Sequence, residues 1–443
     1  MKTNDGVKEP RRTFSVCPAC LARVPARLID RNGVVSLEKR CDRHGDFSAV
    51  VWRGPPDRSA WIGQTPPISM DENPDCPHAC GLKGSLCAAH RQDTCCVLLE
   101  VTQRCDLACA YCFAAAGGQS TDPPLAQLYA AIDGIARSGG TFLQFSGGEP
   151  ALRDDLPLLI RHAKAAGCEF VQLNSNGLRL ARDPAYLDSL AQAGLSFVFL
   201  QFDGLDDAVY QRLRGRPLFG EKLRAIAACG ERNIGVTLVP TLAPGVNTEQ
   251  IGSLARFGVE HSPVVRGVHF QPVSYFGRYP APPHDSARLT LPEVYQALFA
   301  QADDLLPADS IAPSHCDHAA CGFHGGYIVK PDGSLMALTA ANPAAAQACC
   351  SGSPAARNRR FVGSRWLRAA KDDISTPATR AGCCDLTDLD GFLARARTHA
   401  FTISAMAFQD AWTLDLERLR QCSLHVYTDG ALKPFCAHYL SCA

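Results

Sequence analysis

The sequence predicts an α/β fold: a partial (β/α)6 barrel of the TIM type that carries a cysteine-rich, metal-binding extension at each end. Two observations support this prediction. Six short apolar runs in the middle of the chain alternate with helical patterns, as in βαβ units around a parallel sheet. The 22 cysteines gather at the two ends, with eleven in the range 17–112 and nine in the range 316–442.

The predicted elements follow each other in a regular order. The strands are 97–101, 142–145, 170–173, 197–202, 236–240 and 268–271, and the clearest helices are 124–138, 156–166, 185–193 and 218–229. Functional side chains in such sheets lie at the carboxyl ends of the strands, so we expect the site there. The two isolated cysteines between the ends, Cys168 and Cys229, are predicted to be core residues.

Composition excludes several classes of protein. Of 443 residues, 46% are hydrophobic, and 44 basic residues balance 44 acidic ones, which argues against disorder and against a nucleic-acid or anionic-membrane surface. No apolar run approaches the ~20 residues of a membrane span, and the first residues lack the apolar stretch of a signal peptide. We therefore expect a cytoplasmic protein whose cysteines bind metal, rather than a secreted disulfide scaffold.

Four regions are predicted. They are a rubredoxin- or zinc-knuckle-like metal domain over 1–70, an auxiliary cluster segment over 71–96, the partial barrel over 97–300 and a cysteine-rich C-terminal domain over 301–443.

The most specific pattern is a cysteine triplet, Cys105, Cys109 and Cys112, directly after the first predicted strand. Three thiolates on one loop can hold three irons of a 4Fe-4S cluster and leave the fourth iron open to a ligand. The alternatives are a zinc site, which usually needs four ligands in CxxC pairs, or three independent buried cysteines.

The triplet, with Tyr111 before its third cysteine, and the run Gly147-Gly148-Glu149-Pro150 after the second strand resemble motifs of the radical S-adenosylmethionine superfamily. The resemblance implies that the triplet is catalytic and that the GGEP run contacts the amino group of S-adenosylmethionine. By analogy, further cofactor contacts are expected at the ends of later strands, from Asn174, Asn176, Gln201 and Asp203, with Val239 and Gln271 beside the adenosine. It also implies reductive cleavage of S-adenosylmethionine to a 5′-deoxyadenosyl radical.

The N-terminal region has the pattern of a mononuclear metal site. Cys17, Cys20, Cys41 and His44 form a Cys₃His set that suits zinc, and iron in a rubredoxin-like site is equally compatible. We expect this site to be structural.

Two further groups of cysteines predict one or two auxiliary 4Fe-4S clusters. The first group is Cys76, Cys80, Cys87 and Cys95, and the second is Cys316, Cys321, Cys422 and Cys436. The pairs Cys349-Cys350 and Cys383-Cys384 have no assigned role beyond the possibility of holding a soft acceptor.

The order of all these segments resembles the tetraether lipid synthase-like radical S-adenosylmethionine proteins, relatives of which include pterin methyltransferases. Three functional hypotheses follow. The first is an enzyme that forms a C–C or C–S bond on a small-molecule or lipid-like substrate, with an external one-electron reductant such as flavodoxin or ferredoxin. The second is an alkyl transferase that moves a methyl or 3-amino-3-carboxypropyl group. The third, a non-catalytic electron-transfer protein, has no need of an open iron.

Overall fold

The N-terminal part of the chain is a four-stranded antiparallel sheet. In the computed structural model, residues 9–63, 82, 84–117, 121–338, 356, 359, 363, 365–367 and 389–441 are described. The strands are β1 (Arg11–Val16), β2 (Arg23–Arg31), β3 (Val34–Cys41) and β4 (Gly45–Arg53), in sheet order β1-β2-β3-β4, followed by helix α1 (Arg58–Ile62). Asn32 and Gly33, both with positive φ, form the two-residue turn that joins β2 to β3.

The six predicted strands of the barrel are confirmed. They are β5 (Cys96–Thr102), β6 (Phe142–Gly147), β7 (Phe170–Ser175), β8 (Phe197–Gln201), β9 (Gly235–Val239) and β11 (Val265–Pro272), with the short β10 (Thr241–Leu242) paired to β11. All pair in parallel with their neighbours. The helices are α2 (Leu125–Arg137), α3 (Leu156–Ala165), α4 (Leu178–Arg182), α5 (Pro184–Gln192), α6 (Asp207–Arg214), α7 (Phe219–Glu231), α8 (Ile251–Glu260) and α9 (Leu291–Gln301).

The C-terminal region extends the same sheet at both edges. It contains β12 (Ala312–Pro313), β13 (Gly322–Val329), β14 (Leu335–Ala337), α10 (Leu389–Thr398), β15 (Ala400–Met406), α11 (Leu416–Arg420), β16 (Leu424–Thr428), β17 (Ala431–Pro434) and α12 (Phe435–Ser441). Strand β15 pairs in parallel with β11, and β16 pairs in parallel with β5. The sheet therefore runs across the predicted domain boundary at residue 300.

An aromatic plug closes the amino-terminal end of the barrel. Phe142, Phe170 and Phe197 each begin a strand, and their rings pack with Trp366 from the segment 363–367. A Cβ atom on Gly235 would lie 2.1 Å from the carbonyl oxygen of Trp366, so the plug touches the strand backbone directly. The barrel is consequently filled at this end and hollow at the other.

The N-terminal sheet docks on the C-terminal region through buried polar contacts. Lys39 Nζ donates to Ser15 Oγ at 2.9 Å and to the Ala411 carbonyl at 2.7 Å, and Thr13 Oγ1 donates to Asp415 Oδ1 at 2.6 Å. Burial lowers the pKa of Lys39 to about 7. These contacts join the two ends of the chain.

No helix among the described residues has both the length and the apolarity needed to cross a membrane.

Arg266 on β11 connects the barrel to the plug. Its side chain is fully buried, and its guanidinium donates to the carbonyls of Arg365 at 2.6 Å, of Arg397 at 3.3 Å and of Thr398. One buried side chain therefore donates to three backbone carbonyls from two later segments of the chain.

Replacing Arg266 by methionine keeps most of the apolar stem but leaves these carbonyls without a donor. We expect the free energy of unfolding to fall by about 2–5 kcal/mol, measured by urea denaturation. The matched control is Arg137→Met, at an exposed position in the last turn of α2, which should change it by less than about 0.5 kcal/mol. Equal effects of the two substitutions would contradict the proposed role of Arg266.

Candidate active site

A cavity of about 340 Å³ opens at the carboxyl ends of the barrel strands. Most of the predicted site residues line it: Cys105, Cys109, Cys112, Tyr111, Gly147, Gly148, Glu149, Asn174, Asn176, Gln201, Val239 and Gln271. Pro150 and Asp203 are not part of its lining. The structure thus brings together residues from five successive strand ends and from the cysteine loop.

The cysteine loop is held in place by the segment after β11. The backbones of Cys112 and Arg278 exchange two hydrogen bonds of 2.9 Å, and Arg278 Nε donates to the Cys109 carbonyl at 2.8 Å. Gly277 has φ of 51°, and a Cβ there would lie 2.7 Å from the Cys112 carbonyl oxygen. Residues more than a hundred positions away in the sequence therefore fix the conformation of the triplet.

The triplet lies in an apolar setting. Leu107, Leu178 and Leu218 pack around it. Burial raises the pKa of Cys105 to about 12 and raises that of Cys112, so these thiols stay protonated at neutral pH unless a metal displaces the proton. Three thiols of one loop that face a single cavity fit a cluster with one open iron.

The GGEP turn packs directly against the strand that leads into the triplet. Gly148 N donates to the Thr102 carbonyl at 2.8 Å, and Glu149 N donates to the Arg104 carbonyl at 2.8 Å. A Cβ on Gly147 would lie 2.2 Å from the Thr102 carbonyl oxygen, and one on Gly148 would lie 2.1 Å from that of Arg104. Only glycine fits at either position, because the approach is between two backbones.

The Glu149 carboxylate is buried, and about one of its hydrogen-bond acceptor positions is not used by the described residues. It accepts hydrogen bonds from Ala151 N at 2.9 Å, from Ser175 Oγ at 2.8 Å and from Asn176 N at 2.6 Å. A carboxylate has about four acceptor positions, so roughly one is left for a donor in the cavity. Burial raises the pKa of Glu149 to about 7, in spite of these donors.

Two buried cationic side chains, Arg214 and Lys222, lie close to the site, and the sequence analysis did not predict either of them as a site residue. Asp203 is fully buried and binds the Arg214 guanidinium at 2.6 and 2.7 Å. Arg214 lines the cavity and Asp203 does not, so the structure places Asp203 behind Arg214. Lys222 Nζ donates to the Asn176 carbonyl at 2.5 Å and to Gln201 Oε1 at 3.3 Å, and burial lowers its pKa to about 8.

The two asparagines at the end of β7 have local partners as well. Asn176 Nδ2 donates to Asp106 Oδ1 in the cysteine loop at 2.6 Å. Asn174 Nδ2 lies 3.4 Å from Ser146 Oγ, next to the GGEP turn. The asparagines therefore connect the third strand to the two motifs of the first and second.

The N-terminal sheet brings together four candidate metal ligands. The ligand atoms of Cys17, Cys20, Cys41 and His44 all lie within 4.8 Å of one another. The backbone N–H of Ala22 is the largest of the causes that lower the pKa of Cys20 to about 6, and the His44 hydrogen bond lowers that of Cys41. Burial raises the pKa of the third thiol, Cys17. Three thiols and one imidazole this close together form a donor set that zinc or iron binds.

The described cysteines of the two predicted groups lie near one another both within a group and across the two groups. Cys95 and Cys316 both line the cavity, and the Cys95 thiol is the largest cause that raises the pKa of Cys316. Burial is the main cause that raises the pKa of Cys422, and the nearby Cys436 and Cys321 side chains raise it further. Cys87 packs against the same apolar cluster as Cys436. The grouping of these cysteines into clusters stays a prediction.

Several predicted residues lie outside the described part of the chain. They are Cys76, Cys80, Cys349, Cys350, Cys383 and Cys384. Cys168 and Cys229 are buried in the core, as predicted.

Comparison with known proteins gives the site a family. A model described as the radical SAM superfamily matches residues 99–258, and one described as the HMPTM N-terminal zinc ribbon domain matches residues 10–53. The chain is 30% identical to the 7,8-dihydro-6-hydroxymethylpterin dimethyltransferase of Methanocaldococcus jannaschii, over 97% of this chain and 93% of that protein.

Other similarities are partial. The GTP 3′,8-cyclase of Chlorobaculum tepidum is 31% identical over 40% of this chain and 53% of its own. Among solved structures, Streptococcus suis SuiB has a TM-score of 0.40 at 16% identity, over 48% of this chain and 47% of its own. The family model and the near full-length relative show that this chain belongs to the radical S-adenosylmethionine superfamily, whose enzymes use S-adenosylmethionine and a 4Fe-4S cluster.

Proposed function

We propose that this enzyme transfers a methyl-derived carbon from S-adenosylmethionine to a carbon atom of a small organic acceptor, so that a C–C bond forms. The observation that carries the proposal is the single cavity, because it joins the cysteine triplet and the GGEP turn to a polar interior of the barrel. Its volume of about 340 Å³ is at the lower end of small-molecule pockets. The near full-length relative, named as a pterin dimethyltransferase, supports methyl transfer over other uses of the radical.

The triplet residues Cys105, Cys109 and Cys112 would hold the catalytic cluster. A 4Fe-4S cluster and S-adenosylmethionine together supply one-electron cleavage of a C–S bond and hence a reactive carbon radical. An external one-electron reductant such as flavodoxin or ferredoxin would provide the electron. The apolar side chains around the triplet, among them Leu107 and Leu178, exclude water from the place where the radical chemistry occurs.

The polar residues of the mouth suit the methionine end of the cofactor. The free acceptor position of Glu149 would take a hydrogen bond from its ammonium group, and the Arg214 guanidinium would pair with its carboxylate. Asp203 is then a positioning residue, because it fixes the guanidinium from behind. Asn174, Asn176, Gln201, Val239 and Gln271 line the remaining wall, where the adenosine would lie.

The other metal sites would not cleave S-adenosylmethionine themselves. Cys17, Cys20, Cys41 and His44 would bind one zinc or iron ion that stabilises the N-terminal sheet. Two auxiliary clusters would be held by separate groups of cysteines. The first group is Cys76, Cys80, Cys87 and Cys95, and the second is Cys316, Cys321, Cys422 and Cys436. The proximity of Cys95 and Cys316 to the cavity supports an auxiliary cluster close to the acceptor.

Changing Cys105, Cys109 or Cys112 to alanine should reduce cleavage of S-adenosylmethionine to background, because the cluster then loses a ligand. The measurement is mass analysis of cofactor fragments after anaerobic reconstitution with iron and sulfide and incubation with dithionite. Methyl transfer predicts S-adenosylhomocysteine in the wild type, because that is the fragment left when the methyl group departs. Methylthioadenosine would instead indicate transfer of the 3-amino-3-carboxypropyl group, and 5′-deoxyadenosine alone would favour hydrogen abstraction without transfer. Cys168→Ala, in the core away from the cavity, is the control and should keep the cleavage activity.

Glu149→Gln should weaken binding of S-adenosylmethionine by about 10- to 100-fold, because a charged hydrogen bond is lost. In the wild type, the carboxyl takes up a proton as the pH falls through its pKa of about 7. Affinity should therefore fall between about pH 8 and pH 6, by at most about tenfold per unit, and the variant should lack this dependence.

Equilibrium dialysis of the reconstituted protein without reductant measures this affinity. Glu169→Gln, at an exposed position, serves as the control and should keep the wild-type profile. An unchanged profile in Glu149→Gln would exclude Glu149 as the ligand of the ammonium group.

Cys17→Ser should remove about one metal ion per chain and lower the melting temperature, since a tetrahedral site loses one of its four ligands. Metal analysis and thermal unfolding are the measurements. Asp42→Ala, exposed and next to Cys41, should change neither. Loss of S-adenosylmethionine cleavage in a folded Cys17→Ser protein would argue against a purely structural site.

A further inference from the structure

A layer of polar side chains lies inside the barrel, below the mouth. Gln144 on β6, Gln172 on β7, His269 on β11 and Ser404 on β15 all line the cavity. On the first three strands they stand two residues nearer the amino end than Ser146, Asn174 and Gln271, which line the mouth. We call these four residues the polar layer. None of them is used by the contacts proposed for the cofactor.

Gln172 is the member of the polar layer whose side-chain amide nitrogen lacks a hydrogen-bond acceptor among the described residues. Its side chain is 1% exposed, and its Nε2 has no hydrogen-bond partner among the described residues. A buried amide without a partner costs about 1–3 kcal/mol, so its presence in a cavity indicates a ligand that supplies the missing acceptor.

The other members of the layer are uncharged. His269 Nδ1 lies 2.9 Å from Ser404 Oγ, and burial lowers the pKa of His269 to about 4, so the ring is neutral at physiological pH. Gln144 Oε1 accepts a weak hydrogen bond from Cys96 Sγ at 3.6 Å. The charged residues that line the cavity, Glu149, Arg214 and Asp317, belong to other elements. An anion would therefore find no counter-charge in the polar layer.

Aromatic rings border the layer and favour a flat ligand. The Phe199 ring centroid lies 5.3 Å from that of His269 and 5.1 Å from that of Trp366, and Phe142 also lines the cavity. Flat apolar faces beside a few amide and imidazole groups suit a ring with a polar edge. A lipid tail would instead leave the Gln172 amide buried and unpaired.

We infer that the polar layer is the acceptor subsite and that it binds the amide edge of an uncharged, planar nitrogen heterocycle, with Gln172 donating to the carbonyl oxygen of that edge. This inference rests on the proposed function, since it takes the occupant of the barrel to be the acceptor. The opposite edge of such a ring points to the mouth, where the triplet lies. Gln172 is thus a specificity residue rather than a catalytic one.

The test measures ligand affinity without turnover. The reconstituted holoenzyme, without S-adenosylmethionine and without reductant, is titrated with pterin, with quinoxaline (two fused rings without the amide edge) and with decanol. Gln172→Leu is compared with Gln127→Leu, at an exposed position on α2. We expect Gln172→Leu to bind pterin at least about tenfold more weakly, to bind quinoxaline as the wild type does and to keep or raise the melting temperature, because no protein hydrogen bond is lost.

Each other outcome overturns the inference. Wild-type affinity of Gln172→Leu for pterin would exclude Gln172 as a ligand of the acceptor. A lowered melting temperature with unchanged affinity would make the residue structural, and tighter binding of decanol than of pterin would indicate a lipid substrate. Because no electron is supplied, these results stand even if the fragment analysis shows no methyl transfer, so the two proposals can fail separately.

Discussion

The site depends on a backbone-to-backbone contact between the first two strands of the barrel. The carbonyls of Thr102 and Arg104 receive the amide groups of Gly148 and Glu149. This approach leaves no space for a Cβ at Gly147 or Gly148. Since the cysteine loop starts immediately after Arg104, the distance between the triplet and Glu149 is set by rigid peptide groups rather than by flexible side chains. A radical enzyme needs this kind of preorganisation, because an uncontrolled radical reacts with whatever lies nearest.

The buried charged side chains near the site are also held in fixed positions. Asp203 and Arg214 form a buried pair that would be costly if either partner were absent, and Lys222 is held by the Asn176 carbonyl and Gln201. Asp203 and Lys222 are not part of the cavity lining, whereas the Arg214 guanidinium reaches it at the mouth. The protein thereby fixes the direction of polar groups in the mouth while the inner part of the barrel stays neutral.

The sequence predicts the local parts of this arrangement and misses the long-range ones. The triplet and the GGEP turn are contiguous, and six strands follow from alternating apolar patterns, so all of these could be predicted. Arg278 and Arg214 could not, because their roles depend on contacts with cysteine-loop residues more than a hundred positions away. The pairing of β15 and β16 with the edges of the barrel also has no local signal, since both are ordinary short strands. Asp203 was expected at the cofactor, and its full burial behind Arg214 depends on tertiary packing.

The aromatic plug sets the route by which molecules enter and leave. With Trp366 and three phenylalanine rings filling the amino end of the barrel, the described part of the chain leaves the mouth as the way in. A cofactor bound at the mouth would cover anything held deeper in the barrel. The steady-state kinetics should then be compulsory-order: the acceptor binds first, the cofactor second, and the product formed from the acceptor departs only after the cofactor fragments. High cofactor concentration should accordingly trap an enzyme with an empty barrel and inhibit it competitively against the acceptor.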